Sequence, residues 1–301
     1  MKKKALLPVR KYLSLFLLSI SIVLIVKLLF NMFAVGFIEK IWDLNGLEIY
    51  NDLQNQEFKY IYAHKALAFF DQLGTFLIPS ILFLIIIKSI PINYLIPEKN
   101  DWFKLVIYFF ILLGIAQILL VISTYIGYDF LPLSTQDFLR NQQDFNTKIQ
   151  EGFITESFYG FLFNIILLAV IPALGEELFF RGILQNICIG LFKNNTAGII
   201  ITSLIFGILH FQIDNLLSII FASLLLGYIY EFSNNIFLTI LLHFGFNSFS
   251  LLCMQTIKWN LVTESQLDLL ANYLFIPIGI VLSVMVLARK IFWRKKTNSL
   301  D

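Results

Sequence analysis

A chain of 301 residues that is 58% hydrophobic and only 14% charged is not an ordinary soluble domain, in which about a quarter of the residues are charged. Its mean hydropathy of +0.80 points to an all-α, polytopic membrane protein. The formal net charge of +2 leaves no basic footprint for nucleic acid.

The amino terminus, Met-Lys-Lys-Lys, is followed by apolar sequence from Tyr12 to about Gly36. That stretch is too long for the 7–15-residue apolar region of a signal peptide, and no small-x-small cleavage site follows it. It reads as a first transmembrane helix, interrupted by Lys27. A hydropathy window of about 20 residues gives eight segments in all: 12–36, 66–88, 104–127, 158–191, 196–212, 215–231, 235–256 and 270–290. His64, beside Lys65 just before the second, reads as solvated surface. Asp71 and Gln72 in the second, Gln117 in the third and Asn164 in the fourth are expected to be interhelical hydrogen-bond partners.

The fourth segment is too long for one simple crossing. It is expected to tilt, to break near Pro172 and Gly175, or to extend past the lipid. The fifth and sixth are short and joined only by Gln212, Ile213 and Asp214, which predicts a tight hairpin. The polar loops 37–65 and 128–157 are expected to carry short interfacial helices. Cys188 and Cys253 lie in apolar sequence and read as small core residues, not a disulfide.

Five basic residues in 1–12 and five in 289–301 place both termini in the cytoplasm by the positive-inside rule, which requires an even number of spans. The setting is a cell membrane crossed several times. No internal repeat appears, so the inverted halves of a transporter are missing. The chain is expected to be one integrated membrane domain. Residues 1–157 hold the first three helices, 158–256 a functional core, and 257–301 the last helix and a basic tail.

The run Glu176-Glu177-Leu-Phe-Phe-Arg181 lies inside the fourth segment. Charged groups at a membrane helix centre cost roughly 2.5–3.5 kcal/mol each on insertion scales, so three within six residues call for a function. Two of the three histidines, His210 and His243, are also in apolar segments. Glu176 precedes Asn194, at the turn between the fourth and fifth segments, by 18 residues, and His210 follows it by 16. Two antiparallel helices would therefore bring them to within about 3 Å in depth. His243 opens the second turn of the seventh segment, and Asn247 shares its face.

Glu177 lies four residues before Arg181, the spacing of a structural ion pair, which leaves Glu176 free for chemistry on a shared water. Each residue also has a plainer reading. A buried Glu-Arg pair can be a staple, an intramembrane histidine can be a packing residue, and Phe206 reads as core.

Together these residues resemble the three signatures of the CAAX protease and bacteriocin-processing (CPBP) family of intramembrane proteases, which includes the type II CAAX prenyl endopeptidases. The family pattern is Glu-Glu-x-x-x-Arg, then Phe-x-x-x-His, then His-x-x-x-Asn or Asp. Here it is met by Glu176, Glu177 and Arg181, by Phe206 and His210, and by His243 and Asn247. Phe180-Arg181-Gly182 also matches the usual end of the first signature.

The resemblance, which covers about 158–255, implies an eight-helix fold with catalytic residues on helices four, five and seven. It implies hydrolysis of peptide bonds in a membrane-associated protein or peptide, lipidated or not. Glu176 and His210 would activate water. His243 and Asn247 would stabilise the oxyanion. Glu177 and Arg181 would hold the site or orient a substrate carboxylate. No cofactor is favoured; zinc is the alternative, with Glu176, His210 and His243 as ligands. The competing functions are a proton-coupled transporter using Glu176 and His210 as a relay, and a non-catalytic bacteriocin-immunity or secretion scaffold.

Overall fold

The computed structural model of the chain describes residues 8–55, 59–87, 99–127 and 131–298. Part of the basic count, Lys2, Lys3, Lys4 and Lys88 included, lies outside them. The described residues are helical, with no strand among them.

Among the described residues ten helices follow in chain order. They are α1 (Val9–Trp42), α2 (Gly46–Gln54), α3 (Ile61–Ile86), α4 (Lys99–Ile126) and α5 (Leu133–Phe153). Then come α6 (Phe158–Phe192), α7 (Asn195–Ile208), α8 (Leu216–Ser233), α9 (Ile236–Lys258) and α10 (264–298). Seven of them are long and apolar enough to cross a membrane: α1, α3, α4, α6, α8, α9 and α10. The protein is thus an all-α, multi-pass membrane protein.

The fifth sequence segment becomes α7, an apolar helix of 14 residues. At 1.5 Å per residue it is about 21 Å long, short of a hydrocarbon core of about 30 Å. It forms the expected hairpin with α8. Asn195, at the start of α7, donates from Nδ2 to Glu231 Oε1 near the end of α8, so the hairpin begins and ends at one level.

The fourth segment does not break at Pro172. α6 is a continuous helix of 35 residues, about 52 Å long, that absorbs its irregularities as π-helical turns at Ile166–Val170 and Glu177–Leu184. A π turn takes in one extra residue and so loosens the i to i−4 ladder where proline has no N–H to give. The same device recurs at Leu73–Leu77 before Pro79 and at Ala271–Phe275 before Pro277. The turn at Glu177–Leu184 has no such proline. It carries the charged run instead.

Polar residues within the helices find partners where the chain crosses itself. Lys27 of α1 pairs with Asp71 of α3 at 2.5 Å and donates to Thr75 at 2.8 Å. Asn164 of α6 donates to the Phe153 carbonyl at the end of α5, 2.9 Å away. Gln72 and Gln117 make no side-chain hydrogen bond among the described residues. Cys188 and Cys253 are both free thiols, and Cys188 is buried in the core.

His64 and Lys65 are not solvated surface. α3 already begins at Ile61, and the two side chains are 0% and 3% exposed. Helix α2 folds over this end of α3, where Ile49 joins Ala34, Ile38, Ala63 and Leu67 in one cluster. The Lys65 ammonium lies 6.0 Å from the Phe153 ring centre. The polar loop 37–65 thus holds a helix that buries the residues after it. Loop 128–157 holds α5, at 21 residues longer than the short helix expected there.

Helix α10 packs on α4 through glycine. A Cβ at Gly114 would meet the Phe275 carbonyl oxygen at 2.4 Å and Gly279 Cα at 2.7 Å, both backbone atoms. Gly114→Val is therefore expected to push the two helices apart and cost about 1–3 kcal/mol. Thermal unfolding in detergent would show it as a lower midpoint; an unchanged midpoint would mean that the contact is not tight.

Candidate active site

The charged run sits where α6 meets α7, α8 and α9. Phe179, Phe180 and Phe206 form its apolar floor. Phe180 and Phe206 meet edge to face at 4.8 Å, and Phe76 of α3 closes the group at 5.1 Å from Phe179. In this dry setting each ionised group needs a specific partner.

Glu177 supplies most of the pairing. Its Oε1 accepts from Arg181 Nη1 at 2.8 Å, and Nδ1 of His243, on α9, lies 2.8 Å from the same oxygen. Arg181 also donates from Nη2 to the Ser223 hydroxyl and carbonyl on α8, at 2.9 and 3.0 Å. Its guanidinium lies 5.1 Å from the Phe206 ring centre. Glu177 and Arg181 side chains are both 0% exposed.

The pairing explains the local helix. Glu177 and Arg181 are the first and fifth residues of a π turn, so they stand nearly one above the other and Oε1 keeps an open side toward α9. The expected ion pair is present, with a second duty that sequence spacing does not show. It fixes the His243 ring. With Nδ1–H donated to Glu177, Nε2 is directed toward Glu176 and stands 3.8 Å from its Oε2. Glu176 is only partly buried, with no ion pair to Arg181, and its Oε2 accepts no hydrogen bond from the described residues.

His210 does not lie on a helix. α7 ends at Ile208, and His210 occupies the turn that follows, before Phe211 at a left-handed φ of 49°. Its Nδ1 lies 2.7 Å from the Phe206 carbonyl, so the ring caps the helix end whose carbonyls have run out of N–H partners. Phe206 meets both histidines, its ring tilted against His210 at 4.4 Å between centres and edge-on to His243 at 6.3 Å. His210 forms no hydrogen bond to Glu176 or Glu177. Asn247, one turn past His243 on α9, is half-buried and makes no side-chain hydrogen bond among the described residues.

The structure thus joins Glu176, Glu177, Arg181 and His243 directly, and His210 through Phe206. Phe206 is core, as its sequence suggests, and it also lies against Arg181, His210 and His243. Ser223 was not foreseen; a lone serine in an apolar helix carries no signal of its partner. Among the described residues no group of three His, Cys, Asp or Glu is placed to hold a metal ion, the alternative zinc set of Glu176, His210 and His243 included. Nδ1 of both histidines is already engaged with an oxygen of the protein.

Residues 158–249, spanning α6 to the middle of α9, match the family model described as type II CAAX prenyl endopeptidase Rce1-like. All of the site residues fall inside that stretch. No curated protein and no solved structure matches the chain.

Proposed function

We propose that this protein is an intramembrane endopeptidase of the CAAX-protease type, in which Glu176 activates water against a peptide bond. The observation that carries the reading is the unequal treatment of two neighbouring carboxylates. Glu177 accepts from Arg181 and faces His243 through Oε1, whereas Glu176 accepts no hydrogen bond from the described residues and stands opposite His243 Nε2. A structural staple explains the first carboxylate and not the second. The family match to 158–249 supports the same chemistry.

In this scheme Glu176, with His210, takes a proton from water as its oxygen bonds to the scissile carbonyl carbon. The oxyanion that forms is met by the Asn247 amide and by the His243 ring. Each such donor is typically worth about 2.7–4 kcal/mol. Glu176 then gives the proton to the leaving amine as the C–N bond breaks. Arg181, fully buried, holds Glu177 in place rather than binding substrate.

The substrate is a membrane-associated protein or peptide. A prenylated carboxyl terminus is the first candidate, since the matching family is named for it. The chain crosses a cell membrane with both termini in the cytoplasm. The α7–α8 hairpin supports this, because it returns to the level at which it starts and leaves the parity of the remaining spans even.

The test is hydrolysis of an internally quenched, farnesylated CAAX peptide by purified protein in liposomes. Activity is expected to survive exhaustive chelation undiminished. Inactivation reversed only by added metal would overturn the metal-free scheme.

A further inference from the structure

His210 poses a problem that its own turn does not solve. A residue that must meet a water within tenths of an ångström sits on residues 209–215, between two helices, beside a non-glycine residue at positive φ. The Phe206 carbonyl fixes the ring from within. Outside the turn, α5 does the rest.

Three contacts join α5 to this turn. Gln143 and Asp214 bond reciprocally: the amide Nε2 donates to Asp214 Oδ2, and Oε1 accepts from the Asp214 backbone N–H at 3.3 Å. Asn146, three residues on, reaches the His210 carbonyl from Nδ2 at 3.5 Å. Phe138 meets Phe211 nearly edge-on, ring centres 6.4 Å apart. Gln143, Asn146, Ile149 and Phe153 recur at three- and four-residue spacing, so a single face of α5 turns toward the protein. Phe153 at its end is anchored by Asn164 of α6. The helix is tied to α6 at one end and to the histidine turn at its middle.

We infer that Gln143 and Asn146 on α5 are positioning residues that hold His210 for the reaction. The inference rests on the catalytic reading of His210 given above. Gln143 acts through the backbone and side chain of Asp214, and Asn146 through the His210 carbonyl. Neither is in hydrogen-bond contact with Glu176, Glu177 or His243. The strong prediction follows from the reciprocity of the Gln143–Asp214 bond. Gln143→Glu sets two carboxylates against each other and opens the clamp. Adding Asp214→Asn reverses donor and acceptor and closes it again.

Two readouts on the full chain in liposomes test this. The first needs no substrate: diethylpyrocarbonate labelling of the three histidines, followed residue by residue by mass spectrometry. In Gln143→Glu, His210 is expected to label roughly threefold faster than in wild type, with His64 and His243 unchanged, because only its turn has loosened. Gln143→Glu with Asp214→Asn should return to the wild-type rate. The second readout is hydrolysis of the farnesylated CAAX peptide. There kcat should fall about tenfold in Gln143→Glu with KM unchanged, and recover in the double variant.

An unchanged His210 rate in Gln143→Glu, or no recovery in the double variant, overturns the inference. Faster labelling of all three histidines also overturns it, as general loosening. If labelling follows the expected pattern and wild type cleaves nothing, the positioning stands and the endopeptidase reading falls.

Discussion

Glu177→Ala is expected to be the most damaging single change in the protein. It strands the Arg181 guanidinium, 0% exposed, with the Ser223 hydrogen bonds, the Phe206 ring and the more distant Glu176 carboxylate around it. Removing one partner of a buried pair typically costs about 3–5 kcal/mol. It also removes the acceptor that sets His243. The two effects separate in a second variant. Glu177→Ala with Arg181→Met replaces the pair by apolar volume, which should recover most of the lost thermal stability. Activity should stay lost, because Nδ1 of His243 still lacks its acceptor. Recovery of both would show that Glu177 serves the fold alone.

Glu176→Gln is expected to do the opposite. Glu176 is partly buried, and among the described residues its only ion-pair contact is His243 Nε2 at 3.8 Å, with Arg181 farther off, so a neutral side chain of equal size should shift the unfolding midpoint little. Turnover should fall on the order of 10²–10⁴-fold, the usual range for loss of a general base. Adjacent carboxylates, one structural and one chemical, therefore give opposite signatures in the same pair of assays. A stability loss in Glu176→Gln equal to that in Glu177→Ala would contradict this division.

Hydropathy located the spans well, because it depends only on composition over a window, and the apolar runs of α1, α3, α4, α6, α8, α9 and α10 are long. It was blind to hydrogen-bond register. A π turn has the same hydropathy as an α turn, so the four π turns of α3, α6 and α10 left no trace in the profile. Pro79, Pro172 and Pro277 were the available clues to three of them. The fourth, at Glu177–Leu184, carries the pairing of Glu177 with Arg181 and with His243 of α9, and the second of these no local pattern encodes. The length of α7 was overstated for a related reason. Leu209 and Phe211 are apolar and extended the segment, although the helix ends at Ile208 with His210 turned back to cap it.

At the site, spacing along one helix was legible and rotation between helices was not. Glu177 and Arg181 are four apart, so their pairing could be read directly. That the same carboxylate oxygen also meets His243 depends on how α9 is turned against α6. His64 and Lys65 show the same limit in another form. Two polar residues at the end of a polar loop look solvated until α2 is seen to fold over them. The clamp from α5 joins residues about 70 positions apart in the chain, Gln143 to Asp214, and only the tertiary structure brings them together.

Glu176 is the residue on which peptide-bond cleavage should depend. The direct measurement is mass-spectrometric mapping of new peptide termini in membranes from cells that make wild-type or Glu176→Gln protein at equal levels. New termini at or within membrane segments, present with wild type and missing with Glu176→Gln, are the expected result. The same termini in both membranes would contradict it.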